Sequence, residues 1–383
     1  MSSISRRLFL ALVAACASTV LASAQASSSP TEIEATVQGN TSPVAYVYVS
    51  NAPGGKNQIS GYAAAANGAL TAISGSPFST PAFYMALNDS WLFATDGNNI
   101  DSFSIASNGA LKRVDSLTVE PNGGLVNLYL DHTGTSLYAE YYTTNNDYLS
   151  YSIDNTTGKL TFINDLAGGP ANNSAVSFVG NNEFAYSSSC YHFSPEIYGV
   201  QRATDGALSY LPSTPPFPTP PSGDFWCPWL AAADPTNHLA IAMQPLNGNW
   251  VTQGPYQLAS YTVDGSGNLT TSNTYATMPK VAVGTVLGYR MSPNGKFLAV
   301  GGTSGLQIFH FNGAKPITKF TGLIAATDLY QMFWDNANHL YALTETAGKL
   351  YVLTVTSTGV TQAPGSPHTI ATPTSIIVLP KTQ

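Results

Sequence analysis

Short runs alternating β-branched or aromatic residues with polar ones recur along the whole chain. No segment keeps the three-to-four-residue spacing of an amphipathic helix. Each run is followed by a Gly turn: Ile59-Ser60-Gly61-Tyr62 leads to Asn67-Gly68-Ala69-Leu70, and Ile100-Asp101-Ser102-Phe103 to Asn108-Gly109-Ala110-Leu111. The same phrase returns at Leu149–Ser152 with Thr157-Gly158, Ile197–Val200 with Asp205-Gly206 and Leu258–Tyr261 with Ser266-Gly267. It closes with Leu306–Phe309 before Asn312-Gly313 and Leu350–Leu353 before Thr358-Gly359, seven occurrences in all. Repeats of about 40–50 residues, each too small to bury its own apolar faces, predict a stacked or radial architecture.

A more continuous apolar strand precedes each phrase: Tyr46–Val49, Trp91–Ala94, Leu137–Glu140, Phe184–Ser187, Leu239–Ala242, Phe297–Val300 and Leu340–Leu343. Six of these follow an inner strand, at Tyr84–Leu87, Val126–Leu130, Ala175–Val179, Trp229–Ala232, Leu287–Met291 and Tyr330–Trp334. The first has no inner strand before it, while Ser375–Leu379 is an inner strand with nothing after it. Pairing the two completes a seventh sheet from both chain ends and leaves no open edge. The expected fold is therefore all-β, a seven-bladed β-propeller of four-stranded antiparallel blades closed by its N- and C-terminal strands. It occupies residues 44–383, after an export signal (1–26) and a flexible Ser/Thr-rich tether (27–43).

Composition narrows the partners. Only 9% of residues are charged, 14 basic against 21 acidic, and no Lys/Arg run occurs. That balance argues against nucleic acid and anionic surfaces. Ser5-Arg6-Arg7-Leu8-Phe9-Leu10 has the twin-arginine pattern, and Ala22-Ser23-Ala24 and Ala24-Gln25-Ala26 offer cleavage sites. Val13-Ala14-Ala15-Cys16 reads alternatively as a loose lipobox that would leave a lipid anchor on Cys16, and an uncleaved anchor is a third reading. An exported monomer, periplasmic, surface-bound or secreted, is expected. Cys190 and Cys227 survive processing and fall on one face of adjacent blades, so a disulfide is expected, against the alternative of two buried thiols.

That face carries the unusual loops Tyr141–Tyr148, Cys190–Glu196, Pro212–Pro228 and Gln244–Tyr256, on blades three to five. Tyr141, Tyr191, Trp226, Trp250 and Tyr256, with Tyr142, Phe193 and Phe225, make it a candidate face for a glycan, a peptide or a neutral small molecule. The competing reading is that these rings pack the loops onto the disc. Acid–base candidates are His192, Glu140, Asp224, Asp147 and Glu196. Arg290 lies on an inner strand, where alternation either turns it into the central channel or sets it against Asp328. No histidine spacing suits a metal, and no cofactor is expected.

Tyr48-Val49-Ser50-Asn51, the repeated Gly-x-Leu turns, Gly75-Ser76-Pro77-Phe78 with its echo Gly365-Ser366-Pro367, and Ser292–Leu298 (SPNGKFL) resemble the lactonase-type seven-bladed propeller family, which includes bacterial propeller 6-phosphogluconolactonases. The resemblance spans nearly all of residues 45–380 and implies the propeller fold and a lactone hydrolase activity. Enzymatic members carry an Arg-His pair entering an inner strand. Here the corresponding entries read Phe225-Trp226-Cys227-Pro228-Trp229 and Gly288-Tyr289-Arg290-Met291, so no catalytic residue transfers. The leading expectation is an extracytoplasmic binding or interaction propeller. A hydrolase of a lactone or related ester, using His192, Arg290 and nearby acids, is the alternative.

Overall fold

Continuous apolar runs set the architecture: a strand whose two faces both bury apolar residues must be covered on both sides. The computed structural model describes residues 42–119, 124–142, 146–169, 176–191, 194–212, 215–324 and 328–381. They form seven antiparallel sheets, six of four strands and one with a short fifth strand, His368–Thr369, added beside Lys349 and Leu350. Each sheet runs inner, second, third, outer in chain order, except the first. There the C-terminal strand Pro373–Pro380 takes the inner place beside Ala45–Asn51, with Ala45 opposite Pro380 and Val47 opposite Val378. This is the expected closure. We number the blades from that sheet.

Seven hydrophobic clusters fill the seven seams between blades. In blade one, Tyr46 and Tyr48 face blade two while Val47 and Val49 face blade seven. Both faces of the second strand are covered, which is why it reads as continuously apolar rather than alternating.

The Gly turns lock one blade to the next. Gly158, at φ +72°, lies so close to Trp91 of the preceding blade that a Cβ would stand 2.5 Å from its ring. Tyrosines complete the clasp: Tyr48 OH donates to Gly109 O (2.7 Å), Tyr138 OH to Gly206 O (3.0 Å) and Tyr186 OH to Gly267 O (2.6 Å).

Two features depart from the expectation on blades three to five. The two shorter segments read as loops are largely strand among their described residues, while strand takes in only the end of Pro212–Pro228 and the start of Gln244–Tyr256. Blade three reaches Tyr142 and resumes at Asn146, and blade four reaches Tyr191 and resumes at Ser194. In blade five the inner strand begins at Asp224 rather than Trp229, and its partner runs on to Asn247. Cys227 therefore sits inside a strand instead of ahead of one. It is bonded to Cys190 of blade four across a Cα separation of 5.2 Å, tying these extended hairpins together.

Candidate functional site

The innermost strands surround the propeller axis, and side chains from neighbouring blades bond to their backbone. Ala233 N donates to Ser177 Oγ (2.8 Å), Trp229 Nε1 to Val286 O (3.1 Å) and Arg290 Nε to Met332 O (3.2 Å). Trp334 Nε1 donates to Arg290 O (3.2 Å), Tyr330 OH to Pro373 O (3.1 Å) and Ile376 N to Gln331 Oε1 (3.3 Å). These links run from blade four round to blade one and hold the channel wall rigid.

At the end of the channel on the loop face, the pairing of inner and second strands slips by one residue in blade after blade. The residues passed over are Thr374 in blade one, Val126 in three, Trp229 in five, Leu287 in six and Tyr330 in seven. Phe83 holds the same place in blade two, its N–H donating to Thr95 O (2.9 Å). The blade-four equivalent falls outside the described residues. A bulge of this kind bends the strand and re-aims the extra side chain. Phe83 and Trp229 are 41% exposed and Leu287 39%, unusual for large apolar groups on central strands. Val126, Tyr330 and Thr374 are half-buried. Because the inner strands encircle the axis, the six residues form a mostly apolar rim around this mouth.

Arg290 lies three residues further along its strand than Leu287. Solvent reaches its side chain. Its guanidinium stacks on the Phe333 ring, 4.7 Å from the centroid, and desolvation holds its pKa below the ordinary value. The other two arginines among the described residues have carboxylate partners, Arg113 with Asp101 (2.7 Å) and Arg202 with Asp131 (3.0 Å). Arg290 has none. Asp328, the acid named as its alternative partner, accepts from Thr346 N through Oδ2 (2.7 Å). The hydroxyls of Tyr129 and Tyr289 are buried with no hydrogen-bond partner among the described residues, and burial pushes both pKa values well up.

The opposite mouth, on the turn face, holds a cavity of about 480 Å³. Its wall includes Leu87, Asp89, Asp131, His132, Phe333 and Leu379. Asp131 is satisfied there: burial works against its charge, but Thr133, Ser136, Asn182 and the Arg202 charge hold its pKa below the usual carboxylate value. Desolvation lowers the pKa of His132.

The expected site residues separate into groups. Tyr141, Trp226 and Tyr256 are buried in three different seams, two/three, four/five and five/six. Trp226, 2% exposed, donates its indole N–H to Pro218 O (2.8 Å), so the Pro-rich segment covers it. These three rings offer no face to solvent. Trp250 stacks edge-on to Phe225, centroids 4.6 Å apart, and both stay partly exposed on the extended hairpin of blade five. Glu140 is buried in the blade-three sheet, opposite Tyr148 and Asn127, near enough to Tyr129 to raise its pKa. Asp224 stands opposite Asn247, five residues outward from Trp229. Tyr191 ends its strand, while His192 and Phe193 lie outside the described residues. Glu140, Asp224 and Arg290 thus lie on strands of blades three, five and six.

The apolar rim escaped the sequence reading, although a signal exists. Leu125-Val126, Val286-Leu287 and Leu329-Tyr330 each put two apolar residues side by side at a strand entry, one more than strict alternation allows.

No family model and no curated protein matches the chain. Solved structures do. A protein from Lactobacillus plantarum superposes with a TM-score of 0.67 at 15% identity, over 88% of this chain and 99% of that one. The periplasmic gluconolactonase of Pseudomonas aeruginosa gives 0.65 at 13%, over 88% and 99%. A Bacteroides fragilis protein provisionally assigned as a 6-phosphogluconolactonase gives 0.64 at 12%, over 89% and 99%. At such identities the likeness is one of fold: the chain is built as the lactonase-type seven-bladed propellers are.

Proposed function

We propose that this protein is an extracytoplasmic binding propeller that takes a small organic molecule with an apolar face at the loop-face mouth of its central channel. The observation carrying this reading is the bulge repeated around the axis, which leaves Trp229 and Leu287 exposed, with Phe83 exposed at the equivalent place in blade two. Exposed apolar groups on a rigid rim favour a ligand that stacks on them, a class that includes glycan rings and the side chains of a peptide. Phe225 and Trp250 extend the surface outward on blade five. The Cys190–Cys227 bond supports an oxidising compartment, in keeping with the periplasmic gluconolactonase of similar fold.

Hydrolysis of a lactone is the second reading, favoured by Arg290, whose uncompensated guanidinium suits a lactone carbonyl or its oxyanion. It also needs a general base beside the channel. Of the candidates, Glu140 is sealed in a sheet and Asp224 stands away from the rim.

Titration calorimetry with phenyl glucoside and octyl glucoside below its micelle concentration tests the binding site. Trp229→Ala and Leu287→Ala should each weaken binding by about 1–3 kcal/mol, as for buried anchors. Val114→Ala, at an exposed outer-strand site, should change nothing. Equal affinity in all three variants would remove the rim from consideration. Proton release from a lactone panel, abolished by Arg290→Gln, would promote the hydrolase instead.

A further inference from the structure

We infer that the ligand of this channel is an amphipathic monocarboxylate, its apolar portion on the rim and its carboxylate on Arg290. The inference rests on the rim reading above and adds the polar half of the ligand. A guanidinium stacked on a ring and lacking a carboxylate partner among the described residues leaves its charge uncompensated. It is satisfied by an incoming anion. Arg290 presents one such group: Nε is committed to Met332 O and the ring of Phe333 fixes its plane. The outer nitrogens keep the fork that matches a carboxylate.

Charge sets the valence. The chain carries a net charge of −7, and Arg290 is one of only three arginines among the described residues, the others being engaged by Asp101 and Asp131. One cation inside an acidic molecule suits one negative charge better than a doubly charged phosphate ester. The turn-face cavity is the less suitable entrance, because Asp89 stands on its wall and would repel a carboxylate. Length follows from the strand. Leu287 and Arg290 are separated by three residues at about 3.3 Å each, so roughly 10 Å divides the rim from the guanidinium level. A ligand spanning that distance has an extended chain of about eight carbons, or an aromatic ring on a shorter tether.

Calorimetry at pH 8 with straight-chain alkanoates from butanoate to decanoate, each against its primary amide, tests this. Affinity should rise with chain length up to about octanoate. The acid should bind at least tenfold more tightly than the amide, and Arg290→Gln should erase that preference while Arg290→Lys keeps most of it. An unchanged melting temperature in each variant ensures that folded proteins are compared. Trp229→Ala should weaken acid and amide alike and leave their ratio intact. Acid and amide bound equally by the wild type, a preference surviving Arg290→Gln, or no binding by any acid would overturn the proposal. Loss of preference in Arg290→Gln with no effect of Trp229→Ala would keep the anion anchor and overturn the rim.

Discussion

Two arginines show how context decides what a charge does. Arg202 reaches across a seam to Asp131, a carboxylate with no exposed surface that also accepts from Thr133, Asn182 and the backbone of Thr135 and Ser136. Arg290 meets only a carbonyl and a ring, so the first is structural and the second open to chemistry. Removing the Arg202 head group by Arg202→Met should cost about 2–3 kcal/mol at pH 7, the usual worth of a charge-assisted bond. The Asp131 pKa is depressed by folding, so its contribution is complete above its unfolded value of about 3.9 and fades as pH falls through the folded one. Urea midpoints for wild type and variant should therefore differ clearly at pH 7 and converge below about pH 4. A gap that survives at pH values below the depressed folded value would mean lost packing rather than lost charge pairing. At this scale the sequence showed Arg290 on an inner strand. It could not show which aromatics would be buried, because Trp226 and Trp250 look alike until Pro218 is seen to cap one of them.

The repeated Gly turn, legible as a word in the sequence, has its physical reason in the clasp between blades. Position 158 must be glycine on two counts, a left-handed backbone and the Trp91 ring against it. Gly54 meets only the first: φ is +59° and nothing lies within 4 Å of where a Cβ would be. Thermal melts of the two alanine variants should separate these costs. Gly54→Ala should lose about 1 kcal/mol for the strained backbone alone. Gly158→Ala should lose about 2–4 kcal/mol, because Trp91 must also give way. Equal losses would show that the Trp91 ring is free to move and that the clasp contributes little. Strand identity was readable for the same reason as the turn, since both faces of each second strand are buried. The extended hairpins of blades three to five were not. Tyr141–Tyr148 and Gln244–Tyr256 are rich in Asn, Gly and Pro, which carry turn signals, yet strand pairing continues into both of them. Cross-strand partners and the Cys190–Cys227 bond outweigh local propensity there.

The whole disc depends on a seam that joins the two ends of the chain. Every blade but the first is contiguous in sequence, so the ring cannot close until Pro373–Pro380 pairs with Ala45–Asn51 across more than three hundred residues. That strand contributes Ile376 and Val378 to the seam with blade seven, and Ile377 and Leu379 to the seam with blade two. Four buried aliphatic side chains are worth about 1.5–3 kcal/mol each, which together rivals the roughly 5–15 kcal/mol that holds a typical domain folded. A chain ending at Ala371 should therefore lose its cooperative melt, or recover the missing edge by pairing with a second copy, since an open inner edge is a template for another strand. Size-exclusion chromatography with a near-ultraviolet dichroism melt distinguishes these results from the contrary one. A folded monomer with an unchanged melting temperature would show that six and three-quarter blades suffice, and that the closing strand serves the channel wall instead. The seventh inner position also carries Thr374 of the rim and the Pro373 carbonyl that Tyr330 binds. Closure and the proposed ligand site therefore share one strand, and any truncated form that stays folded should bind octanoate more weakly than the full chain does.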